Sequence, residues 1–192
     1  MPAESASRLR MTREDYLAME RASDTKHELW DGEVFAMVGA SYAHNVVKDT
    51  LARLLGNLLD ARGCRVLTSD MRVRIPSGKR YVYPDVVVLC GAPQLEDDHG
   101  DVLCNPQVLV EVLSPSTAAF DRGAKFDGYR SIPSQQEYVL VSPEERKVDH
   151  FTRADDPGAW IFRAFGVEDA LPFPTLGVHV PLREVFAGVV PP

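Results

Sequence analysis

Apolar residues recur at Val46, Val47, Leu51, Leu54, Leu55, Leu58 and Leu59. Spaced in this way they share one face of an α-helix, and the pattern predicts a helix over 43–61 that Gly63 stops. The next stretches follow a different rule. Residues 64–67 are short and apolar, and 71–75 (MRVRI) alternate apolar and basic residues, the period of a strand with one wet face. Residues 83–90 contain the unbroken run Val86-Val87-Val88-Leu89, and residues 108–113 are apolar except for Glu111. Continuous hydrophobicity predicts strands covered on both faces. Ser114-Pro115 breaks the second of them.

Weaker signals fill in the rest. Thr12, with Asp15 three places on, predicts the start of a short helix that runs to Arg21. Asp31-Gly32 sits between two extended stretches and predicts a hairpin. PSGK (76–79) is a turn, 91–106 a polar loop, 118–130 a helix and 137–141 a strand. Residues 147–153 and 160–165 form an antiparallel pair across Asp155-Asp156-Pro157-Gly158. The C-terminal stretch, with Pro172, Pro174 and Pro181, reads as irregular. This order predicts an α/β fold with a mixed sheet and at least one crossover. Residues 1–11 read as a flexible tail and 12–192 as a single domain, with no internal repeat.

Composition narrows the class. Of 192 residues, 45% are hydrophobic and 26% charged, as in a soluble globule. No run approaches the roughly 18–20 apolar residues that span a bilayer, so no membrane partner is expected. The N-terminus lacks the apolar core of a secretory signal, which makes a cytoplasmic location the expectation. Cys64, Cys90 and Cys104 are odd in number and widely spaced, so neither a zinc knuckle nor a disulfide framework is expected. Cys64 and Cys90 read as small buried hydrophobes. The net charge of −7 opposes gripping nucleic acid by overall charge. The charge is uneven, however. Six basic residues lie between Arg62 and Arg80 against Asp70 alone, and four acids lie in 91–106 with no Lys or Arg. The first block is either a basic patch or an ordinary solvated strand face.

Two acids stand out against their surroundings. Asp85 opens the strand after Pro84, and Glu111 sits inside an apolar strand on the face of Leu109 and Leu113. A buried lone carboxylate costs several kcal/mol unless it is paired, hydrogen-bonded or metal-bound. Two carboxylates on adjacent strands repel each other, and a divalent cation removes that repulsion. Mg²⁺ suits a few carboxylates completed by water and phosphate oxygens, where it would polarise a phosphodiester and acidify a bound water. Lys125 would orient that water or offset transition-state charge. Asp121, Lys125 and Tyr129 recur at i, i+4, i+8 on one helix side. Glu33 and Glu28, on the two arms of the hairpin, are candidates for a further acid. His44, near the helix start, is a metal- or phosphate-facing candidate. Each has an ordinary alternative: a turn residue for Asp85, a buried salt bridge for Glu111, an i,i+4 partner of Asp121 for Lys125, a core aromatic for Tyr129, ordinary hairpin polarity for Glu28 and Glu33, and a polar or partly buried helix-start residue for His44.

The segments ELWDGEVFAM with His44 after it, YPDVVVL, VEVLSPST and DRGAKFDGYRSIPSQQEYVLVSPE occur in an order that resembles the Uma2 family. That family is similar to restriction endonucleases of the PD-(D/E)xK superfamily. The resemblance implies a restriction endonuclease-like domain, with a central mixed β-sheet flanked by α-helices. It implies a Mg²⁺-dependent endonuclease acting on DNA, with Mn²⁺ as the alternative ion. Pro84-Asp85 matches the first motif and Glu111 the second acid. The lysine expected two residues later is replaced by Leu113, and Lys125 from the next helix would supply it. The superfamily's additional acid would match Glu33 best, ahead of Glu28. A homodimer pooling two basic patches would offset the negative net charge. Two other readings remain: a non-catalytic dimeric interaction protein on the same scaffold, and a metal-dependent phosphodiesterase with a non-nucleic-acid substrate.

Overall fold

A computed structural model of the chain describes residues 10–189. The chain opens with α1 (Arg13–Arg21), capped where Asp15 N donates to the Thr12 hydroxyl. The predicted tail lies for the most part outside the described residues, and Met11 N donates to Gly32 O at 2.8 Å. β1 (His27–Trp30) and β2 (Glu33–Ala36) form the predicted hairpin. Its two turn residues, Asp31 and Gly32, both have positive φ (51° and 92°), the backbone that lets a two-residue turn follow the twist of its strands. α2 (Tyr42–Leu59) follows, and a 3₁₀ turn (Asp60–Arg62) ends it at Gly63.

Next come β3 (Cys64–Thr68), β4 (Arg72–Ile75), β5 (Arg80–Val82), β6 (Val86–Cys90), β7 (Val102–Leu103) and β8 (Val108–Val112). The strand expected over 83–90 begins only at Val86. Pro84 interrupts the run, and residues 80–82 form a separate strand that pairs with β4 and β1. The predicted helix over 118–130 is a composite of α3 (Ala118–Phe120), a π-helical turn (Asp121–Lys125) and α4 (Phe126–Tyr129). β9 (Glu137–Ser142), β10 (Lys147–Arg153) and β11 (Trp160–Gly166) come next. The C-terminal part is not irregular. β12 (Ala170–Phe173) and β13 (Val178–Pro181) form a hairpin, and α5 (Leu182–Val185) follows it.

The strands divide between two mixed sheets and the last hairpin. The first sheet runs β2-β1-β5-β4-β7 and the second β11-β10-β9-β8-β6-β3. β8 and β9 are parallel, so the helical segment between them is the predicted crossover. One face of the second sheet packs Val86, Val88, Val108, Val110, Val112, Val139 and Val141 against the α2 stripe of Val47, Leu51, Leu55 and Leu59 and against the last hairpin. The other face sets Val87, Leu89, Leu109, Tyr138 and Leu140 against Val73, Ile75 and Val82 of the first sheet, with Phe126 and Tyr129 between them. Both faces of β6 and β8 are therefore buried, which is why their sequences are continuously apolar. α1 covers the far side of the first sheet through Tyr16 and Leu17 on Leu29 and Tyr81.

Cys64 and Cys90 correct the sequence reading, because they form a disulfide. They face each other directly in the antiparallel β3–β6 register, and spacing along the chain could not reveal that. Cys104 is the remaining thiol. Among the described residues, no helix is long and apolar enough to cross a membrane.

Candidate functional site

The β6–β8 register pairs Val88 with Val108, Val87 with Leu109 and Val86 with Val110. One more step sets Asp85 beside Glu111. There the ladder ends in a side-chain bond, where Val112 N donates to Asp85 Oδ2 at 2.8 Å. His44, in the first turn of α2, lies with Nε2 2.9 Å from Asp85 Oδ1. The two elements predicted to be most regular thus meet at the start of β6.

Glu111 points into the layer between the sheets, and both it and Lys125 are 5% exposed. Lys125 Nζ is 2.9 Å from Glu111 Oε1, 3.3 Å from Glu28 Oε1 and 3.6 Å from Asp121 Oδ1. Tyr129 OH donates to the same Glu111 oxygen at 2.6 Å. Tyr83 N donates to Glu28 Oε1 at 3.0 Å, and Tyr138 OH donates to Asp121 O at 3.0 Å. The π turn accounts for the crowding on one side of the helix. Its wider winding keeps Asp121 and Lys125 buried together, and such turns are frequent at functional sites.

The electrostatics follow from burial. Desolvation pushes the Glu111 carboxyl up to about 8, against the pull of Lys125. Burial also raises Asp121. Burial alone would lower Lys125, but Glu111, Glu28 and Asp121 outweigh it and the net shift is upward. Lys125 is therefore an ammonium at any ordinary pH, whereas Glu111 takes up a proton far more readily than an exposed glutamate.

The structure brings together Asp85, Glu111, Lys125, Asp121, Tyr129, His44 and Glu28. Glu33 stands opposite Trp30 in the β1–β2 register, and the Glu28 carboxylate on the other arm reaches Lys125. Sequence spacing could not choose between these two, because both lie on the same sheet face. The supports from Tyr83 N, Val112 N and Tyr138 OH carry no sequence signal.

The donor set is all hard oxygen, with one lysine offsetting several carboxylates, and this suits a divalent ion such as Mg²⁺. Among the described residues, no three of His, Cys, Asp and Glu are grouped to hold a metal on their own.

The Arg62–Arg80 block is largely consumed within the fold. Arg74 pairs with Glu96 at 3.3 Å, Arg72 with Asp101 at 3.4 Å and Arg80 with Asp31 at 2.7 Å. Arg62 and Arg65 donate to backbone carbonyls. The acidic loop also takes Arg21 and Arg13 from α1. The basic and acidic blocks thus serve in part as each other's counterions.

A family model described as "Uma2: Putative restriction endonuclease" matches residues 13–182. An uncharacterized protein of Synechocystis, slr1290, is 34% identical over 180 residues, covering 94% of this chain and 93% of the relative. A second from the same organism, sll1609, is 37% identical over 146 residues, covering 76% and 82%. A crystal structure titled as a "putative nuclease belonging to DUF820" from Anabaena variabilis superposes with a TM-score of 0.75 at 16% identity, covering 94% of this chain and 99% of that one.

Proposed function

Starting from the fact that this chain belongs to the Uma2 family, we propose that it is a divalent-metal-dependent endonuclease that hydrolyses DNA phosphodiester bonds. The supporting observation is the ion pair of Lys125 with Glu111 at 2.9 Å. It puts an ammonium beside the second acid although Leu113 occupies the position where the superfamily pattern has its lysine. Asp85 and Glu111 would hold Mg²⁺, or Mn²⁺ in its place. A divalent ion there supplies Lewis acidity and an acidified water. His44 and Val112 N fix the Asp85 carboxylate. Glu28 and Asp121 aim the Lys125 ammonium, which is placed to balance charge that builds on the phosphoryl oxygens. Tyr129 fixes the rotamer of Glu111.

Calorimetric titration with Mg²⁺ and Mn²⁺ tests the metal site. Binding to the wild type should weaken at least about tenfold in Glu111→Ala. Equal binding by both proteins, or binding by neither, refutes the site. Cleavage of single-stranded, duplex and branched DNA should require the metal and fall in Lys125→Ala. Equal cutting by that variant removes Lys125 from the mechanism.

A second reading is a non-catalytic dimeric interaction protein on the same scaffold. It is favoured by the net charge of −7 together with the internal pairing of the arginines. Metal-independent behaviour in both assays, with a dimer in light scattering, would select it. A phosphodiesterase acting on a small phosphoester would bind metal and leave DNA intact. In the nuclease reading the setting is cytoplasmic and a homodimer is the working assembly.

A further inference from the structure

The exposed segment next to this site is apolar rather than basic. Every residue from Phe35 to Tyr42 is exposed: Phe35 to 48%, Val38 to 86% and Tyr42 to 70%. The stretch FAMVGASY carries no charge. Single exposed hydrophobes are ordinary, but a continuous exposed segment with two aromatic ends marks a contact surface. Its ends are tied to the site. Phe35 is the direct partner of Glu28 in the β1–β2 register. Directly paired side chains leave an antiparallel sheet on the same face, so Phe35 emerges beside the carboxylate that holds Lys125. Tyr42 begins α2 two residues before His44, the partner of Asp85.

A duplex is gripped chiefly through its phosphates by arginine and lysine. Here Arg72, Arg74 and Arg80 are spent on acids of the same chain. Unpaired bases offer a different handle, because every base has a π face that stacks on an aromatic ring whatever the sequence. Bases inside a duplex are already stacked and cannot use it. Building on the nuclease reading above, we infer that Phe35 and Tyr42 form a stacking platform for unpaired nucleobases next to the scissile phosphate. The substrate is therefore single-stranded or frayed DNA rather than closed duplex.

The test uses the full chain with Ca²⁺ replacing Mg²⁺, so that binding is read without cleavage. The probes are a fluorescein-labelled single strand, the same strand annealed to its complement, and the same backbone carrying abasic residues. The single strand should bind about tenfold tighter than either of the others. Phe35→Ala and Tyr42→Ala should each weaken its binding by roughly five- to a hundredfold, and Phe35→Trp should keep it. Both alanine variants should bind the abasic strand as the wild type does.

Equal affinity of the wild type for the base-bearing and abasic strands overturns the platform, as does unaltered single-strand binding in both alanine variants. So does the absence of any binding. Variants whose sole change is loss of a dimer in sedimentation also overturn it, because they identify the segment as a self-association face. The two readings fail separately. Metal-dependent cutting of all DNA forms alike keeps the nuclease and removes the platform. Phe35-dependent single-strand binding without metal-dependent cutting keeps the platform and removes the nuclease.

Discussion

Lys125 Nζ lies within 3.6 Å of three carboxyl groups inside the protein, and removing it exposes what they cost. Lys125→Met leaves Glu111, Glu28 and Asp121 without a cation, which should lower stability by about 3–5 kcal/mol in urea unfolding. Measured at about pH 9, above the Glu111 value of about 8, Lys125→Met with Glu111→Gln should recover a substantial part of that loss, since the most buried charge then disappears too. No recovery in the double variant would mean that the pair is not coupled. The pH dependence has a definite sign. The Glu111 carboxyl lies at about 8 in the fold, against an ordinary value of 4.5. Between those values the native state keeps a proton that the unfolded chain has released, so this residue erodes stability as pH rises through the window. Glu111→Gln does not titrate and should gain on the wild type steadily over the same range. A constant difference between the two urea midpoints across the window would contradict the assignment. In the proposed metal site the Glu111 carboxylate would be most available at the alkaline end.

Among the elements, those with one dominant period were legible in the sequence and those that change partners were not. α2 shows its stripe because one face is buried, and β6 and β8 show unbroken apolar runs because both faces are. The switch between sheets at Pro84 is hidden, because Tyr83 and Val86 are apolar on either side of it. The β12–β13 hairpin was hidden by Pro172, Pro174 and Pro181, although Leu171, Phe173, Val178 and Val180 alternate inward as strand residues should. For the site, the strand acids were legible as charges inside apolar runs. That Glu28 lies within reach of Lys125 depends on the β1–β2 register and could not be read. α4 yields a prediction at this scale. A Cβ at Gly128 would stand 2.9 Å from Trp30 Cη2 and 3.3 Å from Ile75 Cδ1. Trp30 cannot easily yield, since the Arg80 guanidinium lies 4.3 Å from its ring centroid on one side and Phe120 meets it edge-on at 4.8 Å. Gly128→Ala should therefore destabilise by about 1–3 kcal/mol, outweighing its better helix propensity. A thermal midpoint equal to the wild type's would show that the interface is looser than this packing implies.

For the molecule as a whole, the two covered sheets place most of the stability in burial, and the Cys64–Cys90 bridge adds a covalent tie. Their sequence separation of 26 corresponds to about 3.5 kcal/mol of loop-closure entropy. The cysteine pattern had pointed to reduced thiols in a cytoplasmic setting, where such bridges are rare. Thiol titration of protein denatured without reductant should find one reactive sulfur per chain, that of Cys104. Three would mean that the pair stays reduced. Cells quenched with a thiol-blocking reagent before lysis show which state exists in vivo, and so test the expected compartment.

The lysine and the acids of the site arrive on separately docked pieces of chain, and this bears on when the site exists. If an ammonium follows its acid on the same strand, the pair forms as soon as the sheet forms. Here the strand end keeps Leu113 for packing, and the ammonium comes in with the helical segment 118–129, which closes over Glu111 only when it seats against both sheets. The site can therefore be no more persistent than that seating. Each local opening of the segment would unlock Lys125 from Glu28 and Glu111 while β6 and β8 stay intact. Amide exchange in this one crossover would then report, residue by residue, the fraction of molecules competent at any instant.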